Sequence, residues 1–184
     1  MKYHNLIKIS APTTEKKTID FAYWGSYRKD SPIRQQILTS LRKQHPEIKA
    51  YYLGHLPPFT DDKWTRKFVE AVPKLKTART TLCFGTEEAS SDNWLTAKYH
   101  EAMGMKIIPF VWEDYDKANQ LGILPWQRVS SLDELVDKIK QVKNDAEWSN
   151  KWKSILSSYT RKILSEDQIF EQWEDKVLPF LFSC

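Results

Sequence analysis

Two stretches of the sequence carry side chains whose types and spacing suit chemistry on an anion. The first is WGSYRKDSPIR, Trp24 to Arg34. Gly25 lets backbone come close to a bound group, and Ser26 offers a hydroxyl. Arg28 and Arg34 flank a helix start signalled by Asp30, Ser31 and Pro32. Backbone N–H groups at a helix N-terminus, combined with two guanidinium groups, make a phosphate site. A Gly-Ser turn alone is ordinary turn chemistry, and that plainer reading stands beside the phosphate one. The second stretch is TEEASSDNWLTAKYHEAMG, Thr86 to Gly104. Asp92 or Asn93 can cap its helix, and Lys98 and Glu101 lie three apart on one helix face. Lys98 can meet a phosphate as a point charge, and Glu101 can accept two hydroxyls of a ribose or other sugar. The alternative is a solvated surface pair that contributes little.

Other chemistry finds fewer footholds. The dinucleotide fingerprint G-x-G-x-x-G and the Walker loop are absent, which disfavours an ordinary NAD enzyme or ATPase. His4, His45, His55 and His100 stand at no metal-ligand spacing with Cys, Asp or Glu, so no metal ligand is assigned. His100, next to Glu101 but on another helix face, reads as structural. No G-x-S-x-G elbow occurs, and Cys83 reads as a mid-strand residue, so no nucleophile is assigned. Asp20, within the first predicted strand, reads as structural. The catalytic base is therefore unknown.

These side chains need a scaffold, and the pattern supplies one. Met1 to Lys17 has no clean period and reads as an arm or linker. Thr18 to Trp24 (TIDFAYW) is a strand stopped by Gly25, and a helix follows to about His45, where Pro46 ends it. Ile48 to Leu53 is a second strand. Trp64 to Lys76 is weakly helical with a break at Pro73. Thr80 to Phe84 is a third strand, followed by a helix from Trp94 that ends at Gly104, a strand over Lys106 to Trp112 and a short edge strand at Gln127 to Val129. Ser131 caps a helix with Glu134 as its capping-box partner, and Leu132, Leu135, Val136 and Ile139 form its stripe. Alternating strands and helices predict an α/β fold, a Rossmann-like parallel sheet with flanking helices. The expected organisation is an arm at residues 1–17, a Rossmann-like domain at 18–145 and a helical extension at 146–184. The extension carries two Trp-bearing segments, Glu147 to Ser157 and Glu166 to Leu178.

Composition bounds the class. The chain has 184 residues, 41% hydrophobic, 28% charged and 13% aromatic, which excludes a disordered chain, a collagen-like fibre and a coiled coil. Eight Trp are many for this length, and core filling is the plain reading of each. The net charge of +4 permits an anionic ligand such as DNA or a nucleotide without requiring one. No apolar run approaches the ~18–20 residues of a membrane span. The start MKYHNLIKIS lacks a signal-peptide core. Two cysteines, Cys83 and Cys184, make no disulfide framework, so a reducing, cytoplasmic setting is expected.

The two motif stretches also carry a resemblance. KKTIDFAYWGSYRKDSPIR resembles the strand–Gly-Ser–Arg loop that opens the C-terminal half of the bacteriophage DNA β-glucosyltransferases. SDNWLTAKYHEAMGMKIIPFVWEDYD resembles the later helix and strand of that half. Their separation matches, as do Arg128, Val129 and Ser131 to Leu135. The resemblance covers about Lys16 to Val142. It implies one half of a GT-B glycosyltransferase. In that family the C-terminal half holds the UDP-sugar, and the N-terminal half holds the acceptor and the catalytic carboxylate. Carried over, Gly25 and Ser26 approach the nucleotide or diphosphate, Arg28 and Arg34 neutralise the diphosphate leaving group, and Glu101 holds the ribose hydroxyls. Lys98 stands where the family has an arginine, so the charge remains and the bidentate fork is lost. The loop between Arg28 and Arg34 is longer than the family's. An Asp that follows the glycine matching Gly85 is replaced by Thr86, Glu87 and Glu88.

The implied reaction is inverting transfer of a sugar, with UDP-glucose or a related nucleotide sugar as donor and DNA carrying hydroxymethylated bases as acceptor. A divalent cation, Mg or Mn, is compatible with it. The expectation is that the acceptor half lies outside this chain, as a cut-away domain, a partner subunit or another copy, in the host cytoplasm, with no membrane involved. Two further readings stand beside it. One is a free-standing, non-catalytic nucleotide-sugar or nucleotide-binding protein. The other is a nucleic-acid-binding module using net charge and aromatic residues.

Overall fold

The computed structural model describes residues 16–25, 32–53, 70–85, 97–113, 115 and 123–163. The strands are β1 (Ile19–Trp24), β2 (Ala50–Leu53), β3 (Ala78–Cys83), β4 (Ile108–Trp112) and β5 (Arg128–Val129). The helices are α1 (Pro32–Gln44), α2 (Ala97–Gly104), α3 (Leu132–Gln141) and α4 (Asp145–Ile163). Residues 70–75 are also helical and lead into β3.

All five strands are parallel, in the order β2-β1-β3-β4-β5. The protein is therefore an α/β, Rossmann-like sheet with flanking helices. Parallel pairing forces each connection to cross over, and helices lie in the first three crossovers. A sheet covered on both faces needs strands that are apolar throughout. Accordingly every residue of β1, β3 and β4 is buried. Alternation along β1 sends Phe21 and Tyr23 into the larger hydrophobic cluster and Ala22 and Trp24 into the smaller one. The larger cluster takes Leu38 and Leu41 of α1, Leu135, Val136 and Ile139 of α3, and Trp152, Ile155 and Tyr159 of α4. The smaller takes Ala71 and Leu75, together with Ala102 of α2.

Three local expectations are corrected. The helix at residues 70–75 runs through Pro73. The carbonyls of Val72 and Lys74 still find donors, in the N–H groups of Lys76 (2.9 Å) and Thr77 (3.1 Å). Helix α2 ends at Gly104, as expected. Its closure comes at Lys106, in the left-handed region at φ 56°. There the Lys106 N–H donates to Met103 O (3.2 Å) and the Ile107 N–H to Ala102 O (2.9 Å), a Schellman closure. Ser131 caps α3 by accepting from the Glu134 N–H, but Glu134 returns its carboxylate to the N–H and hydroxyl of Ser130 instead of to Ser131. Cys83 is the last residue of β3 and not mid-strand. Asp20 is structural as expected: it accepts from the Lys49 N–H at 3.0 Å, tying β1 to the entry of β2. The second Trp-bearing segment, Glu166 to Leu178, lies outside the described residues.

Candidate functional site at the β1/β3 switch point

In this strand order the chain leaves β1 toward one side for β2 and returns on the other side at β3. The crevice beyond the carboxyl ends of those two strands is the topological switch point, where open α/β sheets bind ligands. β1 ends there in Trp24 and Gly25, and β3 ends in Cys83, followed by Phe84. Helix α1 brings Arg34 in its first turn, and α2 brings Lys98 and Glu101.

Gly25 has φ +142°, a conformation that L side chains rarely adopt. The chain turns there with its backbone bare, as a close approach to a ligand requires. A Cβ at this position would meet the Tyr23 hydroxyl at an ordinary 3.6 Å, so the constraint is dihedral and not spatial.

The two cations sit on an aromatic floor. The Lys98 ammonium lies 3.2 Å from the Tyr23 ring centroid and 5.1 Å from that of Trp24. The Arg34 guanidinium lies 5.2 Å from the Phe84 centroid and hydrogen-bonds the Tyr23 side chain. Cation–π contact replaces part of the lost hydration without using hydrogen-bonding capacity. Lys98 Nζ and Arg34 Nε are both buried with no hydrogen-bond partner among the described residues. Most buried polar groups in proteins are paired, and two unpaired donors on basic side chains side by side have the chemistry to accept an anion. Three other unpaired buried groups, on Tyr52, Arg79 and Thr81, belong to the bodies of β2 and β3.

Burial drives the titration here. It pulls Lys98 down to about 7, with Cys83 and Glu101 opposing the shift and Arg34 reinforcing it. The same burial lifts the Tyr23 hydroxyl and the Cys83 thiol to about 12 each, so Cys83 stays protonated and is no nucleophile at neutral pH.

Glu101 is held from the opposite wall: the Trp24 indole N–H donates to its Oε2 at 2.6 Å. Its helix is anchored on the side away from the crevice. Tyr99 accepts from Gln127 Nε2 at 3.1 Å, and His100 Nδ1 pairs with the Tyr159 hydroxyl at 2.7 Å. Burial keeps His100 below the ordinary imidazole range, in keeping with a structural role.

Thus Gly25, Arg34, Lys98 and Glu101 come together at one crevice, and Lys98 and Glu101 are not a solvated surface pair. Ser26 and Arg28 lie outside the described residues. The sequence reading missed Tyr23, Trp24 and Phe84. Their signal was the aromatic residues placed directly before Gly25 and Gly85, where a strand delivers them to the site edge. Among the described residues no three His, Cys, Asp or Glu gather in a way that could hold a metal ion. No helix among the described residues is long and apolar enough to cross a membrane.

No family model matches the chain, and no curated protein matches it by sequence. Among solved structures, one described as the DNA-modifying enzyme β-glucosyltransferase, in the presence and absence of the substrate uridine diphosphoglucose, superposes with a TM-score of 0.55 at 18% identity. The match covers 83% of this chain and 48% of that one, so the chain spans about half the length of that enzyme. At this identity the likeness establishes a shared, glycosyltransferase-like fold.

Proposed function

We propose that the chain is the donor-binding domain or subunit of a phage-type DNA glucosyltransferase, taking UDP-glucose or a related UDP-sugar. The observation that carries the reading is the pair of buried, unpartnered cationic donors, Arg34 Nε and Lys98 Nζ, at the β1/β3 switch point. A nucleoside diphosphate supplies what they lack: adjacent anionic oxygens, with a ribose whose hydroxyls suit the Glu101 carboxylate across the same crevice. The fold shared with an enzyme whose substrate is uridine diphosphoglucose supports the same class of ligand.

In this reading the chain's residues act on the leaving group. Arg34 and Lys98 neutralise the charge that grows on the departing diphosphate, and Ser26 and Arg28 join them from the loop after Gly25. The bare backbone at Gly25 lets the diphosphate come close. Donors already aimed at developing charge need no reorganisation during reaction, and losing one costs about 3–4 kcal/mol, or ~10²–10³ in rate. The acceptor, DNA with hydroxymethylated bases, and the base that deprotonates it belong to the other half of such an enzyme, as a further domain, a partner subunit or a second copy of the chain.

The test is glucose transfer from labelled UDP-glucose to hydroxymethylated DNA, with the chain alone and with candidate partner subunits. Transfer that requires this chain supports the reading. UDP binding without transfer under any pairing replaces it with a non-catalytic nucleotide-binding protein. DNA binding that is steeply salt-dependent and indifferent to UDP replaces it with a nucleic-acid module.

A further inference from the structure

We propose that Trp24 is a positioning residue that aims the Glu101 carboxylate and so makes the site selective for ribonucleotides over 2′-deoxyribonucleotides. The inference rests on the donor-site reading above and deepens it, from a nucleoside diphosphate to one with an intact cis-diol.

Trp24 ends β1 with 2% of its surface exposed, packed in the smaller cluster with Ala22, Ala102 and Met105. The indole is therefore locked by packing on both sheet and helix, and its N–H must satisfy itself locally. It does so with one charge-assisted hydrogen bond, to Glu101 Oε2 at 2.6 Å. Core filling needs the ring but not that bond.

The bond reaches across the crevice from β1 to α2, between residues 77 apart in sequence. A glutamate side chain has three rotatable bonds, and an unrestrained one would sweep its carboxylate through several positions. The indole removes that freedom. An ionised carboxylate has about four lone-pair sites, of which the indole takes one. The rest, held in a fixed plane, match two vicinal hydroxyls. With the carboxylate aimed in advance, a cis-diol is bound without the ordering cost, and a sugar lacking one hydroxyl leaves an aimed acceptor unsatisfied.

Calorimetric titration with UDP and with 2′-deoxy-UDP tests this. For the wild type the expected preference for UDP is roughly 10–100-fold, the value of one hydrogen bond to a charged group. In Trp24→Phe that ratio falls toward unity; because Trp24 also lies under the Lys98 ammonium, the ratio of the two affinities, and not either affinity alone, is the readout. Glu101→Gln loses the preference too, and the double variant loses nothing further. A merely structural tryptophan would weaken both nucleotides equally. Should Trp24→Phe fail to fold, the wild-type indole N–H resonance serves instead. It is identified by its displacement in Glu101→Gln, and it is expected to shift on adding UDP and much less on adding 2′-deoxy-UDP. Equal shifts with both nucleotides, or an undiminished ratio in Trp24→Phe, overturn the inference and leave the donor site standing. Wild-type protein that binds neither nucleotide overturns the donor-site reading and this inference with it.

Discussion

The Lys98 ammonium rests 3.2 Å from the centre of the Tyr23 ring, buried and without a hydrogen-bond partner among the described residues. The groups that act on it come from four elements: Tyr23 and Trp24 of β1, Arg34 of α1, Cys83 of β3 and Glu101 of its own helix. Burial dominates and holds Lys98 at about 7, against an ordinary value of 10.5. Diphosphate beside it favours the charged form, so above pH 7 the bound state carries more protons than the free state. Affinity for UDP is therefore expected to fall as pH rises past about 7, with proton uptake visible as a dependence of binding heat on the buffer. Lys98→Arg, which stays charged, is expected to flatten the profile. An equally steep profile in that variant would remove Lys98 from the site.

The same residue weakens the unliganded fold. Between about 7 and the ordinary lysine value, the unfolded chain binds more protons than the folded one, so stability rises with pH across that window. Replacing the ammonium with an apolar chain removes the burden. Lys98→Met is expected to stabilise the unliganded protein at neutral pH by about 1–3 kcal/mol and to weaken UDP binding. Denaturant melts and calorimetry on the same sample check both halves.

Arg34 offers donors at the diphosphate position while leaning on Phe84. Arg34→Ala is expected to weaken UDP by roughly 10–100-fold and to leave uridine binding little changed. Arg34→Lys is not expected to restore it, because the planar fork and its stacking on Phe84 are lost. Full rescue by lysine would mean that charge alone is read here.

Gly25 and Lys106 make opposite stability cases. Both have positive φ, +142° and 56° respectively. Gly25→Ala is expected to cost about 1–3 kcal/mol from backbone strain, since the space for a methyl group is present. Lys106→Gly is expected to gain about 1 kcal/mol by relieving a left-handed residue at the end of α2. Urea midpoints read both, with the slope unchanged.

The sequence made the strands legible because both-face burial writes itself as apolar runs such as IDFAYW and IPFVW. Ser131 was legible because a cap is local. The helix running through Pro73 and the left-handed closure at Lys106 were not. At Pro73 tertiary packing outweighs intrinsic preference and the expected breaker does not break; after Gly104, the left-handed position falls on a lysine, which no local preference signals. Arg34 and Lys98 could be named from their spacing. That Lys98 is buried could not be read, because nothing local distinguishes it from a solvated lysine. Trp24 and Glu101 meet only because β1 and α2 flank one crevice, a contact between residues 77 apart that no local pattern encodes. For that reason the indole looked like core alone.

The central claim is that two buried donors without a partner among the described residues, Arg34 Nε and Lys98 Nζ, take a nucleoside diphosphate at the β1/β3 edge. Isothermal titration of the chain with UDP, against uridine and against UDP on the Arg34→Ala, Lys98→Ala double variant, tests it most directly. The account predicts one-site binding of UDP, uridine weaker by at least about tenfold for the lost charge-assisted contacts, and UDP bound no more tightly than uridine by the double variant. Equal affinity of the wild type for UDP and uridine, or unchanged UDP affinity in the double variant, would contradict it.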